Sequence, residues 1–201
     1  MSVPTITTAN GASWQEIAAD RQRHRDASIS QFLPSPPPAL LNDPLPLNTT
    51  GIPRSILSYE ELAITDTNVE DLVAKLASGQ WSATTVVKAF MARVAIAQVA
   101  TNCITELLPE RALRRAAELD QYLSTHGTPV GPLHGVPISI KEHLGMKGLD
   151  LNAGFVGWVG CVADDDALLL KPLWDAGAVF YVRTTQPQTL MHLETSSNLY
   201  G

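Results

Sequence analysis

Cysteine is scarce in this chain, with Cys103 and Cys161 the only two among 201 residues. Neither lies in a Cys-x-x-Cys pair or a Cys/His cluster of metal-ligand spacing, which argues against a disulfide framework or a zinc site and for two small buried thiols in a reducing compartment. Positive charge is also short: 14 Lys and Arg face 20 Asp and Glu, a formal net charge of -6. The cations are scattered apart from the short runs Arg21 to Arg25 and Arg111 to Arg115, so there is no basic stripe and nucleic acid is not an expected partner. Met1 to Asn10 lacks a charged segment followed by an apolar run, and no apolar stretch reads as a membrane span. The expectation is a cytoplasmic protein with no membrane partner.

Glycine-rich phosphate loops and dinucleotide fingerprints are missing too, so no cofactor is expected. The five histidines include no pair at i and i+4 around an acid, and Asp164 to Asp166 lack the alternating oxygens and terminal Glu of a calcium loop, so no metal site is expected either. Helix capping is the expected role of those three acids.

What is present is a hydrophobic share of 45%, enough for a globular core. Ser13 and Glu16 have the spacing of a capping box, and a helix is expected from about Trp14 to about Ser28. Seven prolines between Leu33 and Pro53 break the chain into an extended connector, to which Leu40, Leu41, Leu45, Leu47 and Ile52 give apolar groups to dock on the domain surface. The domain division is therefore 1–53, N-terminal helix and connector, and 54–201, the globular portion.

From Ser58 to His126 the pattern is helical. Thr67 and Glu70 have capping-box spacing before the apolar face of Val69, Leu72, Val73 and Leu76, with Gly79 as a stop; Ser82 caps a second helix bearing Val86, Val87, Phe90, Val94 and Ile96. A third runs from about Glu110 to about Ser124, with Leu113, Ala116, Ala117 and Leu119 inward. Arg111, Arg114 and Arg115 form a solvated face on it. Beyond Gly127 the period changes. Val136 to Lys141 alternates, with Val136, Ile138 and Ile140 on one face and Ser139 and Lys141 on the other, and Ala178 to Arg183 is an apolar run. With a helix between them, opening at Asp164 to Asp166 and closing at Gly177, these two runs make a β, helix, β unit.

Gly131-Pro132-Leu133-His134-Gly135-Val136-Pro137-Ile138-Ser139-Ile140-Lys141-Glu142 resembles the lysine motif of the amidase-signature family. The blocks Gly177 to Met191 and Glu194 to Gly201 resemble the family's next core segment, and Trp14 to Ala19 echo the first helix of its fungal acetamidase and general amidase branch. The resemblance implies an α/β fold, a helical N-terminal layer on the opening strands of a mixed sheet. It implies a hydrolase that converts a small carboxamide and water to a carboxylic acid and ammonia. In such enzymes a neutral lysine, here Lys141, takes a proton from a cis-peptide serine, which activates a nucleophilic serine. Leu190 and Met191 match a loop that lines the substrate pocket, though an apolar core role fits them equally.

Both serines of that trio belong to a Gly/Ser-rich stretch that the resemblance places after Asn198 to Gly201. Ser196 and Ser197 match the preceding segment and are read as loop residues. The expectation is accordingly a truncated amidase, inactive as this chain alone, or alternatively a non-catalytic paralogue or partial gene product with a binding role or none. To act as a base, Lys141 needs shielding from water, for which Ile138, Ile140 and Leu144 are the expected walls. Glu142 and His143 stand where many relatives have Asp and an amide side chain, so the hydrogen bond of that acid is expected to shift more than vanish. His143 is close enough to influence the charge of Lys141, and His134 is expected to make a structural hydrogen bond.

Overall fold

The computed structural model describes residues 12–33, 35–36, 38–41 and 44–201; the reading of Met1 to Asn10 and part of the proline-rich connector lie outside them. Ser13 closes the expected capping box with Glu16, and helix α1 runs Trp14–Ser30. Among the described residues of the connector Leu40 and Ile52 are buried, against Ile96, while Leu41 and Leu47 face solvent.

Four helices follow where three were expected. A second capping box, Ser58 with Glu61, starts α2 at Tyr59–Thr65. The cap of α3, Val69–Ala77, is Asn68 and not Thr67: Asn68 accepts from the Asp71 amide, and the Thr67 hydroxyl instead donates back to the Ala63 carbonyl at 2.6 Å. Val69 is consequently exposed while Leu72 and Leu76 are buried. Ser82 caps α4, Ala83–Thr101, as expected, and the Asp120 carboxylate reaches across to accept from the Ala83 and Thr84 amides, placing an acid where the helix dipole favours it. By length and composition α4 would cross a membrane, yet its Val86, Val87, Met91 and Ala95 are packed in the protein core.

Helix α5, Pro109–His126, opens on proline, which needs no amide partner in a first turn, and ends on Gly127 at a φ of 68°. It buries Ala112, Ala116 and Leu119; Ala117, expected inward, is exposed. Arg115 is not solvated either, since its guanidinium stacks on Trp174 at 4.0 Å and donates to the Trp174 carbonyl.

Three strands, β1 (Ile104–Leu107), β2 (Pro137–Lys141) and β3 (Val179–Thr184), form one mixed sheet in the order β1-β3-β2. Strand β2, Pro137–Lys141, runs parallel to β3, Val179–Thr184, and the connection between them holds helix α6, Leu170–Asp175, so the expected β, helix, β unit is present. Helix α6 starts later than expected, because Pro172 fits only a first turn; Asp164 to Asp166 do not cap it. Asp165 pairs with Lys171 at 2.7 Å, and Asp166 accepts from the Lys147 amide.

Strand β1, Ile104–Leu107, was not expected at all and lies antiparallel to β3. On one face of the sheet Val179 and Tyr181 join the α4 and α5 core; on the other Ala178, Phe180 and Ile140 join Leu108, Met146 and Leu170. Cys103 is half-buried and Cys161 is exposed, the latter against expectation, because it lies in the loop that closes beside the Asp150–Val162 bridge.

The glycines before β2 have a physical purpose. The turn 131–135 crosses the chain at 176–177 so closely that Leu133 and Gly135 donate to the Ala176 and Gly177 carbonyls, both at 2.9 Å. A Cβ on Gly177, whose φ is +96°, would stand 2.8 Å from the His134 Cα. Gly177→Ala is expected to lower the unfolding free energy by about 2–3 kcal/mol, since strain and a backbone collision coincide there. Urea denaturation of the variant checks this, and a loss below about 0.5 kcal/mol would show that the crossing yields without cost.

Candidate active site

The residue pattern of β2 sends Ile140 into the core and leaves Ser139 and Lys141 outside, as the alternation required. Lys141 ends the strand in register with Thr184 of β3. The shielded cleft expected around it is not formed by these residues: Lys141 is exposed, and its amine makes no hydrogen bond or ion pair among the described residues. Ile138, Ile140 and Leu144 pack with the Phe180 cluster on the far side of the strand, so they do not wall the amine.

Immediately beyond Lys141 the environment inverts. Glu142 is 1% exposed, and its two carboxylate oxygens accept from the Asn152 amide at 2.8 Å, the Ala153 amide at 2.8 Å and the Gln186 side chain at 2.7 Å. Its main-chain carbonyl accepts from Arg183 at 2.7 Å, and Arg183, also 1% exposed, pairs with Glu106 of β1 at 2.8 Å. Asn152 continues the network: its side chain donates to the Tyr200 hydroxyl and to Asp150, and its oxygen accepts from the Gly154 amide. Burial pushes the Tyr200 phenol up to about 12. One connected set of polar groups thus joins all three strands, the 150–154 turn and Tyr200 to the residue after Lys141.

This network extends beyond what the sequence reading found. Glu142 was singled out, and its acid does keep second-layer hydrogen bonds, but Arg183, Glu106, Gln186, Asn152 and Tyr200 were not connected to it. The available signal was Arg183 closing an otherwise apolar strand, because a charge in a strand covered on both faces requires a partner.

The remaining expected residues divide. Leu190 and Met191 are both exposed among the described residues, and they follow β3 in a short turn where Thr189 and Leu190 have φ of 69° and 60°. Ser197 shapes its own turn: its hydroxyl accepts from the Tyr200 amide and its main chain exchanges hydrogen bonds with Gly201. His143 is half-buried with Nδ1 unpaired, and burial, with the Lys141 charge second, holds its imidazole below the ordinary value. The Lys141 charge thus reaches the His143 ring.

His134 makes the expected structural bond, Nδ1 accepting from the Val130 amide at 3.1 Å. Burial holds its imidazole below the ordinary value, against the opposing pull of Asp120. The folded chain then binds this proton less readily than the unfolded chain, so stability is complete above the unfolded value near ~6.5 and falls as pH drops toward the depressed folded one. The urea midpoint is expected to fall between about pH 7 and pH 5. His134→Asn, whose oxygen can replace Nδ1 as acceptor without titrating, should fall less; an identical fall would remove His134 as the cause.

The profile of the Amidase family matches residues 85–201. The acetamidase of Emericella nidulans is 43% identical over 193 residues, covering 94% of this chain and 34% of the relative, and the acetamidase of Aspergillus oryzae is 41% identical over 192 residues, covering 94% and 34%. Among solved structures, a fatty acid amide hydrolase superposes with a TM-score of 0.84 at 36% identity over 98% of this chain and 35% of its own. The chain spans about a third of the length of the curated relatives it matches.

Proposed function

Because this chain belongs to the amidase-signature family, in its fungal branch, we propose that it supplies the lysine-bearing part of a hydrolase that converts a small carboxamide to a carboxylic acid and ammonia. One observation carries the assignment of Lys141: it is the last residue of a strand whose end is held by the buried Glu142, Arg183 and Gln186 network, a rigid mount for an otherwise free amine. In the proposed reaction the uncharged amine takes a proton through one serine from a second, which attacks the amide carbonyl; ammonia leaves as it gains a proton, and water releases the acid from the acyl-serine.

Two requirements of that chemistry fall outside these 201 residues. The amine needs a dry environment, and the attack needs a nucleophile with backbone amides around the developing oxyanion. Both are proposed to come from a Gly/Ser-rich segment and its surroundings packed over the open end of β2. By themselves the 201 residues are then inert toward amides, and a non-catalytic role for them alone is the second reading, favoured by the exposure of Lys141.

The test joins this chain in frame to the remaining two-thirds of the Emericella nidulans acetamidase and measures ammonia release from acetamide. Hydrolysis by the fusion, with none by the 201 residues alone, is the expected result. A folded fusion without activity would overturn the proposal, and so would hydrolysis by the short chain.

A further inference from the structure

A groove of about 350 Å³ opens between the first turn of α1, the 155–158 turn and the loop after β3. Its walls include Trp14, Phe155 and Trp158, with the Phe155 and Trp158 rings 4.6 Å apart, and both tryptophans are unusually open, at 52% and 43% exposed. Gln188 and Asn198 supply two primary amides whose side chains make no hydrogen bond among the described residues. No lining residue is charged, and the adjoining hollow, which shares Val156 and Gly157, carries the Glu16 and Asp20 carboxylates.

The groove is mechanically tied to the end of β2. Glu142 binds the Asn152 and Ala153 amides two to three residues before Phe155, and holds Gln186 two residues before Gln188. A Cβ on Gly154 would lie only 3.3 Å from the Gln188 main chain, so the two walls meet at this point. The loop that carries Gln188 is held at positive φ at Thr189 and Leu190, a conformation that β-branched and bulky residues adopt only where the surroundings impose it.

We infer that this groove binds uncharged aromatic carboxamides, the ring lying against the open faces of its aromatic walls and the amide exchanging hydrogen bonds with Gln188 and Asn198. Aromatic walls favour a planar ring, and a side-chain amide offers both a donor and an acceptor to a ligand amide. The uncharged lining with acids next to it disfavours a carboxylate, so a substrate amide would be held and its acid product released. This deepens the amidase reading by naming a substrate class, and rests on it only in calling the ligand a substrate.

The test is a titration of the isotope-labelled 201-residue chain with benzamide and, separately, benzoate, read from the four tryptophan indole signals. Benzamide is expected to shift the Trp14 and Trp158 signals saturably, with a Kd on the order of a millimolar, and to leave Trp81 and Trp174 unmoved. Benzoate should bind at least about tenfold more weakly, Trp158→Ala should weaken benzamide about tenfold, and Trp158→Phe should restore it. Shifts spread over all four indoles, no saturation, or benzoate binding as well as benzamide would overturn the inference. These outcomes are independent of ammonia release by the fusion, on which the amidase reading alone depends.

Discussion

Replacing Lys141 by alanine in the fusion with the acetamidase remainder lowers kcat by about 10² to 10⁴, the range that a positioned base contributes to proton transfer. Arginine at the same position gives no rescue, because a guanidinium stays protonated and cannot accept the serine proton. The same substitution in the 201-residue chain leaves stability within about 0.5 kcal/mol, since Lys141 is exposed and has no partner among the described residues. The two effects therefore separate cleanly: ammonia release collapses while the urea midpoint holds. Retention of more than about a tenth of the activity by Lys141→Ala would show that the proton goes elsewhere.

Arg183→Ala has the opposite profile, acting on stability first. Its guanidinium is 1% exposed and is the cation facing the Glu106 and Glu142 carboxylates, at 2.8 and 3.5 Å. Removing it leaves two acids with little solvent to replace it, and a buried pair broken from one side costs about 3–5 kcal/mol, a large part of the stability of a domain this size. Glu142→Gln is no gentle control, because both carboxylate oxygens accept from N–H groups. An amide there turns one acceptor into a donor aimed at donors, at a cost of about 1–3 kcal/mol. Urea unfolding of both variants measures these losses; a loss under about 1 kcal/mol for Arg183→Ala would mean that water enters and replaces the guanidinium.

The fold was legible where a local rule is strong. Ser13 and Ser82 each sit before a helix with the geometry their hydroxyls favour, while the Ser58 cap that opens α2 went unread, and the alternation placed Ile140 in the core with Ser139 and Lys141 outside. Reading failed where neighbours decide. Strand β1 has only four residues between two helices, too few for a period, and exists because β3 offers it a ladder. Thr67 and Asn68 compete for one cap, and the choice depends on the hydroxyl of Thr67 being taken by Ala63. The polar network at Glu142 joins residues from 106 to 200, and no spacing along a chain encodes such a meeting.

The role proposed for Lys141 rests on the motif around it. Alternation placed it on the outer face, and the dryness that a base would need is not provided by these residues.

The hold of α1 on the far end of the chain has a consequence in time. Gln22 donates to the Leu199 carbonyl and Arg25 to that of Tyr200, across separations of 177 and 175 residues. During synthesis these bonds must wait until residues 199 and 200 have emerged, whereas the Ser28 hydroxyl can meet the Leu107 amide far sooner, so α1 is seated in two stages.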